Sequence, residues 1–357
     1  MLRNITKMAE NVAKKMKTDL SIGTHNGHFH ADEALAVYML RLLPQYEHST
    51  LVRTRDPAKL AECHTVVDVG GEYDASRNLF DHHQRTFTTT FPNRPTKLSS
   101  AGLVYMHFGK AIIAQRLGVS EDDEAIEVIY QKIYEDFIEA LDAHDNGISA
   151  YDPKALAAAG IEKRFADGGF NLGAMVGRLN PDWNDPRPAD PAEWQKIEDS
   201  KFVKASFRIG QEFSSSLEYL CKAWLPARQI VREAFVKRMQ YDAQGRILVF
   251  DGQSVPWKDH LYRLEAETSA PDEQKVLYVL YPESPAPEAK WRIQTVSITK
   301  DSFESRKSLP ESWRGFRDEK LDEITGIPGG VFVHAAGFIG GNKTFDGAMA
   351  MAKKALA

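Results

Sequence analysis

The chain has 357 residues, 43% hydrophobic and 27% charged, enough apolar side chain for a folded core, which excludes disorder as a whole-chain description. Lys and Arg number 45 against 50 Asp and Glu, and a net charge of -5 gives no general attraction to nucleic acid; a polyanion would have to meet a local basic groove. Cys63 and Cys221 cannot build a disulfide framework, and no apolar run reaches the roughly 18 residues a membrane-spanning helix needs, so the expectation is a soluble intracellular protein.

Residues 1–19 form a basic N-terminal extension, whose first eighteen residues carry Arg3, Lys7, Lys14, Lys15 and Lys17 against one acid, Glu10. It reads either as a targeting segment or as a solvated helix. From Leu20 strands alternate with helices. LSIG is a short strand, and ADEALAVYMLRLLP a helix stopped by Pro44. HTVVDVGG and NLFDHHQ are further strands. A helix follows over about Ser100 to Leu117, then a longer one with an apolar stripe at Ile126, Ile129, Tyr130, Ile133, Phe137 and Leu141, closed by Asn146-Gly147. The alternation predicts an α/β fold with a parallel sheet flanked by helices. A Pro-rich stretch sets a linker at 181–199, so residues 20–180 form one domain and 200–357 a smaller α/β domain. The second domain opens with helical text to about Arg238, continues with the strands ILVF, VLYVLY and WRIQTVSI, and ends in a Gly-rich stretch before an Ala-rich helix.

Four constellations carry chemistry. His25, His28, His30, Asp32 and Glu33 crowd one strand-to-helix turn, the place where open α/β sheets bind ligands, and imidazole with carboxylate suits Mn, Fe or Zn. Asp81-His82-His83 follows an apolar strand. Asp68 sits among valines, where a carboxylate is costly unless paired or bound to metal. Asp142 and Asp145 end the long helix, where acids oppose the helix dipole and a cation relieves the conflict. Acids and histidines from four loops on one sheet edge point to a two-metal hydrolase. No G-x-S-x-G, P-loop or C-x-x-C offers a rival chemistry. Glycines at Gly340 and Gly341 would let backbone N–H groups approach a phosphate beside Lys343, with His334 facing the same region. Arg85, Arg292, Arg314 and Arg317 are candidate phosphate contacts, and Trp257, Trp291 and Trp313 are either base-stacking or core residues.

The order of these motifs resembles the DHH phosphoesterase superfamily. More narrowly, GTHNGHFHADEALA, VVDVGG, FDHHQ, DAHDNG and FVHAAGFIGGNKTF together resemble the Myg exonuclease family, from about Ser21 to the C-terminus. The resemblance implies a DHH-type parallel-sheet catalytic domain and a smaller substrate-binding domain across a cleft. It implies a manganese-dependent phosphodiesterase, with magnesium as the alternative ion, acting as a 3′-to-5′ exonuclease on single-stranded RNA in nucleus and mitochondrion. Carried over by motif, His25 and His30 hold one ion and Asp32 the other, Asp68 and Asp145 bridge both, and His82 completes the second. Asp68 thereby shapes catalysis as well as binding. His83 contacts the scissile phosphate or protonates the leaving oxygen, and Asp81 orients a histidine. The substrate-binding set is Arg85, His334, Gly340, Gly341 and Lys343.

Two other readings stand beside this one. A small-substrate phosphoesterase acting on a dinucleotide or pyrophosphate would need no basic track, in keeping with the net charge. A metal-binding regulatory protein without turnover would differ by failing to cleave with added manganese.

Overall fold

A computed structural model describes residues 20–357. The extension at 1–19, and with it the choice between a targeting segment and a solvated helix, lies outside the described residues. The chain divides between Cys221 and Lys222 into two units.

The first unit is built on strands β1 (Ser21–Thr24), β2 (Thr50–Arg53), β3 (Thr65–Val67), β4 (Tyr73–Asp74) and β5 (Leu79–Phe80), in the order β2-β1-β3-β5-β4. All pairings are parallel except β4 with β5 at the edge. The parallel strands deliver their C-terminal ends to one edge, where His25, Arg53, Asp68 and Asp81 each end or follow a strand.

The unit's helices are α1 (Ala31–Arg41), α2 (Pro57–Ala61), α3 (Ser100–Leu117), α4 (Glu124–Ile133), α5 (Glu139–Asp145), α6 (Pro153–Ala158), α7 (Leu172–Gly177) and α8 (Pro191–Tyr219). Helix α1 is the hub. All but Tyr38 and Arg41 of its residues are buried, because α3 and α8 both pack on it. Ser206 of α8 donates to the Ala34 carbonyl at 2.7 Å, and Tyr38 meets Ser214 at 3.0 Å. Gly210 lies against the Tyr38 ring so closely that a Cβ there would collide with it.

These contacts correct the boundary expected at 181–199. Asp190 caps α8, with Pro191 in its first turn, so the Pro-rich text ends in a helix start rather than continuing as linker. The helix then buries Phe202, Ile209, Phe213 and Leu217 within the first unit. A π-helical turn at Tyr134–Ile138 separates α4 from α5.

The second unit holds α9 (Leu225–Lys237), α10 (Lys258–Glu267), α11 (Asp318–Thr325) and α12 (Phe345–Leu356) around strands β6 (Ile247–Val249), β7 (Tyr278–Pro282), β8 (Trp291–Thr295), β9 (Gly330–Val333) and β10 (Ile339–Asn342). The strand order is β6-β7-β8-β10-β9, and only β6 with β7 is parallel. One face buries Leu321, Ala348 and Met351, and the other Val231, Phe235 and Leu261. Among the described residues no helix is long and apolar enough to cross a membrane.

Candidate metal centre

The turn after β1 is fixed from three directions. Asn180 takes the Phe29 N–H and donates to the Phe29 carbonyl, both at 2.9 Å. Arg53 donates to the Gly27 carbonyl at 2.7 Å, pairs with Asp199 at 3.1 Å and stacks on Phe202. Glu33 accepts the His30 N–H at 2.8 Å, which closes the first turn of α1. Neither Arg53 nor Asn180 stands out in the sequence, because their partners lie far away in the chain.

Asp68 is the centre of the site. It follows β3 in a left-handed conformation, φ 57°, and is almost wholly buried. Aspartate is one of the few residues besides glycine that adopt this conformation readily. Its Oδ2 lies 3.4 Å from His25 Nε2, and its Oδ1 lies 3.4 Å from His82 Nε2 and 3.5 Å from His83 Nδ1. Ser100 Oγ donates to the same Oδ1 at 3.2 Å.

Three groups of ligand atoms, each within 4.8 Å of one another, gather here: His25, His30, Glu33 and Asp68; Asp68, His82 and His83; Asp32, His82 and Asp145. Asp68 belongs to two of them. His25 and His30 share one group, and Asp32 and His82 another. Expected to bridge together with Asp68, Asp145 falls only with Asp32 and His82, whereas Asp68 and His82 each fall in two groups. Glu33 joins the first group; its signal was its place beside Asp32 in the crowded turn.

Electrostatics mark where a cation fits. Both Asp32 oxygens are buried without a hydrogen-bond partner. Burial and the nearby Asp68 and Asp145 push its carboxyl well above the ordinary range. His82 Nε2 lies 3.0 Å from Asp145 Oδ2, yet neither ring nitrogen has a hydrogen-bond partner. Burial would lower His82, but Asp145 and Asp68 outweigh it and raise it to about 9. His25, between Asp68 and Glu33, is raised to about 10 against the same effect of burial. For Asp68 burial acts upward, and His25 and His82 hold it below its usual value. The histidines thus offset, in charge, acids that divalent ions would otherwise hold. The donor set of imidazole and carboxylate fits such ions.

Asp81 stands outside the three groups. Its Oδ2 accepts the Gly71 N–H at 2.6 Å and its Oδ1 meets His83 Nδ1 at 2.7 Å, an orienting role. His83 is 62% exposed, and together with His28, His30, Asp32, Asp68 and Asp145 it lines a cleft of about 300 Å³. Asp142 lies elsewhere. Fully buried, it accepts from Ser99 N–H at 3.0 Å, Ser99 Oγ at 2.7 Å and Tyr134 Oη at 3.0 Å.

The expected substrate residues differ in setting. Arg85 is exposed two residues after His83. Gly340 and Gly341 sit in β10 with a strand on each side, so the ladder engages their backbone; this corrects the phosphate-loop reading. A Cβ at Gly341 would strike Arg292, which pairs with Glu283 and stacks on Phe332. His334 accepts the Ala336 N–H at 3.1 Å in the β9–β10 hairpin, and the Lys343 side chain is exposed. Arg314 donates to the Leu309 carbonyl at 3.0 Å and packs on Gly337. Arg317 precedes α11 and lies over the Phe332 ring. Trp257 and Trp313 are core residues and Trp291 packs against the core, so the stacking reading fails for the first two.

A family described as uncharacterised protein family UPF0160, MYG1_exonuc, matches residues 21–356. The MYG1 exonuclease of Homo sapiens is 48% identical over 349 residues, 96% of this chain and 87% of that protein. The MYG1 protein of Schizosaccharomyces pombe is 46% identical, covering 96% of this chain and 98% of its own length. That of Saccharomyces cerevisiae is 41% identical, covering 98% and 99%. A crystal structure of RecJ with Mg2+ from Thermus thermophilus covers 98% of this chain and 52% of its own at 14% identity, with a TM-score of 0.22 too low to bear on the fold. The chain belongs to the MYG1 exonuclease family.

Proposed function

We propose that this enzyme of the MYG1 exonuclease family is a two-metal phosphodiesterase that removes nucleotides from the 3′ end of single-stranded RNA, with manganese as its preferred ion and magnesium as the alternative. One observation carries the reading: Asp32 keeps two buried, unpartnered oxygens beside Asp68 and Asp145 on the C-terminal edge of a parallel sheet.

In this reading His25, His30, Glu33 and Asp68 would hold one ion and Asp32, His82 and Asp145 the other. Such ions supply charge stabilisation for phosphoryl displacement and lower the pKa of the attacking water. The protein's own part is positional. Arg53 and Asn180 hold the histidine turn, and the Ser100 hydroxyl donates to Asp68. Asp81 accepts the Nδ1 proton of His83, which leaves Nε2 free to hold a proton for the leaving oxygen. Hydrogen bonding to Asp81 raises His83 above its ordinary value despite burial, in keeping with an acid role. Arg85 in the first unit, and His334 and Lys343 in the second, are proposed phosphate contacts, and nucleus and mitochondrion the proposed compartments.

The test is a time course with 5′-labelled RNA and a matched DNA, in manganese, magnesium or chelator, with Asp68→Asn beside the wild type. A stepwise ladder from the 3′ end with manganese, absent with chelator and in the variant, supports the reading. Turnover of dinucleotides alone moves it to a small-substrate phosphoesterase, which the net charge of -5 favours. No turnover of either overturns it in favour of a metal-binding regulatory protein.

A further inference from the structure

We infer that a recess beside the metal centre is the seat of the nucleobase of the terminal nucleotide. The inference rests on the phosphodiesterase reading above. Phe137, Ala140, Leu141 and His144 recur at the three- and four-residue spacing of one helical stripe, and with Ala31 and Leu172 they line a recess of about 320 Å³. Ala31, Leu141, His144 and Gly173 line this recess and the metal cleft alike, so the two adjoin.

The stripe is unusual for its exposure. Its spacing marks it as core, yet Phe137 is only half-buried and Ala140 and His144 are exposed. The π-helical turn at Tyr134–Ile138, a feature common at functional sites, places Asp136 and Phe137 at the recess. Gly173 is needed for the opposite wall, because a Cβ there would lie 2.8 Å from the His144 ring.

The chemistry selects a flat, mostly apolar ligand. Apolar pockets of about 300 Å³ with few polar groups are typical small-ligand sites, and nucleobases seat between aromatic and apolar side chains. The polar groups at the rim are largely engaged: Asn171 caps α7 and Asp136 pairs with Lys132. The His144 ring makes no hydrogen bond to a described residue. Seating therefore depends on stacking and shape, so the site distinguishes a base from no base far better than one base from another.

The test compares binding of adenosine 5′-monophosphate, cytidine 5′-monophosphate and ribose 5-phosphate to the manganese-loaded protein by calorimetry. In the wild type both nucleotides are expected to bind at least tenfold tighter than ribose 5-phosphate and within about fivefold of each other. In Ala140→Trp, which fills the recess from an exposed position, the preference for a base should fall below threefold. Equal binding of nucleotide and ribose 5-phosphate by the wild type, or an unchanged preference in the variant, overturns the inference. Because binding is read without turnover, a protein that cleaves no RNA but prefers nucleotides loses the nuclease reading and keeps the base seat.

Discussion

Asp81 holds the His83 ring by its Nδ1 at 2.7 Å while its other oxygen is tied to the Gly71 N–H at 2.6 Å. The carboxylate is thus a fixed strut between the glycine turn after β3 and the exposed imidazole. Asp81→Asn keeps the shape but offers an amide where the ring needs an acceptor, or forces the other tautomer. Loss of such orienting partners costs roughly 10- to 100-fold in activity. We expect that loss in kcat, with KM changed less than threefold and the pH–rate profile displaced. Steady-state kinetics across pH check it, and a loss confined to KM would contradict the orienting role.

In the proposed site Asp32 would hold metal at the expense of the metal-free fold, since its buried oxygens face Asp68 and Asp145 unpartnered. Asp32→Asn is therefore expected to match or exceed the wild type in melting temperature with chelator present. With manganese the order should reverse, because ligand-linked stabilisation depends on the affinity that the variant loses. Thermal melts in both conditions decide the point.

Asp142 gives the fold a pH dependence. Burial raises its carboxyl to about 7 in spite of hydrogen bonds from Ser99 and Tyr134. The folded state therefore retains a proton that the unfolded chain, titrating near 4, has lost. Stability contributed here is present below about pH 4 and is lost as pH rises through about 7, by about 4 kcal/mol at most. Asp142→Asn removes that slope while keeping an acceptor for Ser99. Denaturant unfolding between pH 5 and 8 should show the variant gaining on the wild type as pH rises. A constant difference would contradict this.

Gly210 admits the Tyr38 ring between α8 and α1, so Gly210→Ala overpacks the joint that completes the hub. Overpacking of a well-filled core costs about 1–3 kcal/mol. A lower midpoint of chemical unfolding with an unchanged slope checks it. The same joint predicts that a fragment ending at residue 180 aggregates, because it leaves the α1 surface that α8 covers exposed to water, whereas one ending at Cys221 folds.

Much of the site was legible because metal ligands on a parallel sheet cluster at strand ends, and short strands followed by His and Asp stand out in the text. The roles of Asp68 and Asp81 could be ordered only with distances in hand. Glu33 was visible but ambiguous, since an acid in the first turn of a helix also serves the helix itself. Asn180 and Arg53 left no mark, because their partners are distant in sequence. The domain boundary misled for a local reason: proline punctuates both a linker and a helix start, and only the packing of α8 on α1 distinguishes them. The glycines of β10 misled likewise, since a residue without a side chain admits an arginine as readily as a phosphate.

The left-handed backbone at Asp68 has a consequence for which residues the position can accept. Glycine, asparagine and aspartate occupy φ 57° at little cost, whereas most other side chains crowd their own carbonyl there. Of the three only aspartate carries charge. Glutamate would restore the charge but reach one methylene too far from a backbone it strains. The genetic code thus leaves this position a single occupant that is both foldable and anionic, and any descendant of the protein that changes it keeps its shape or its charge, but not both.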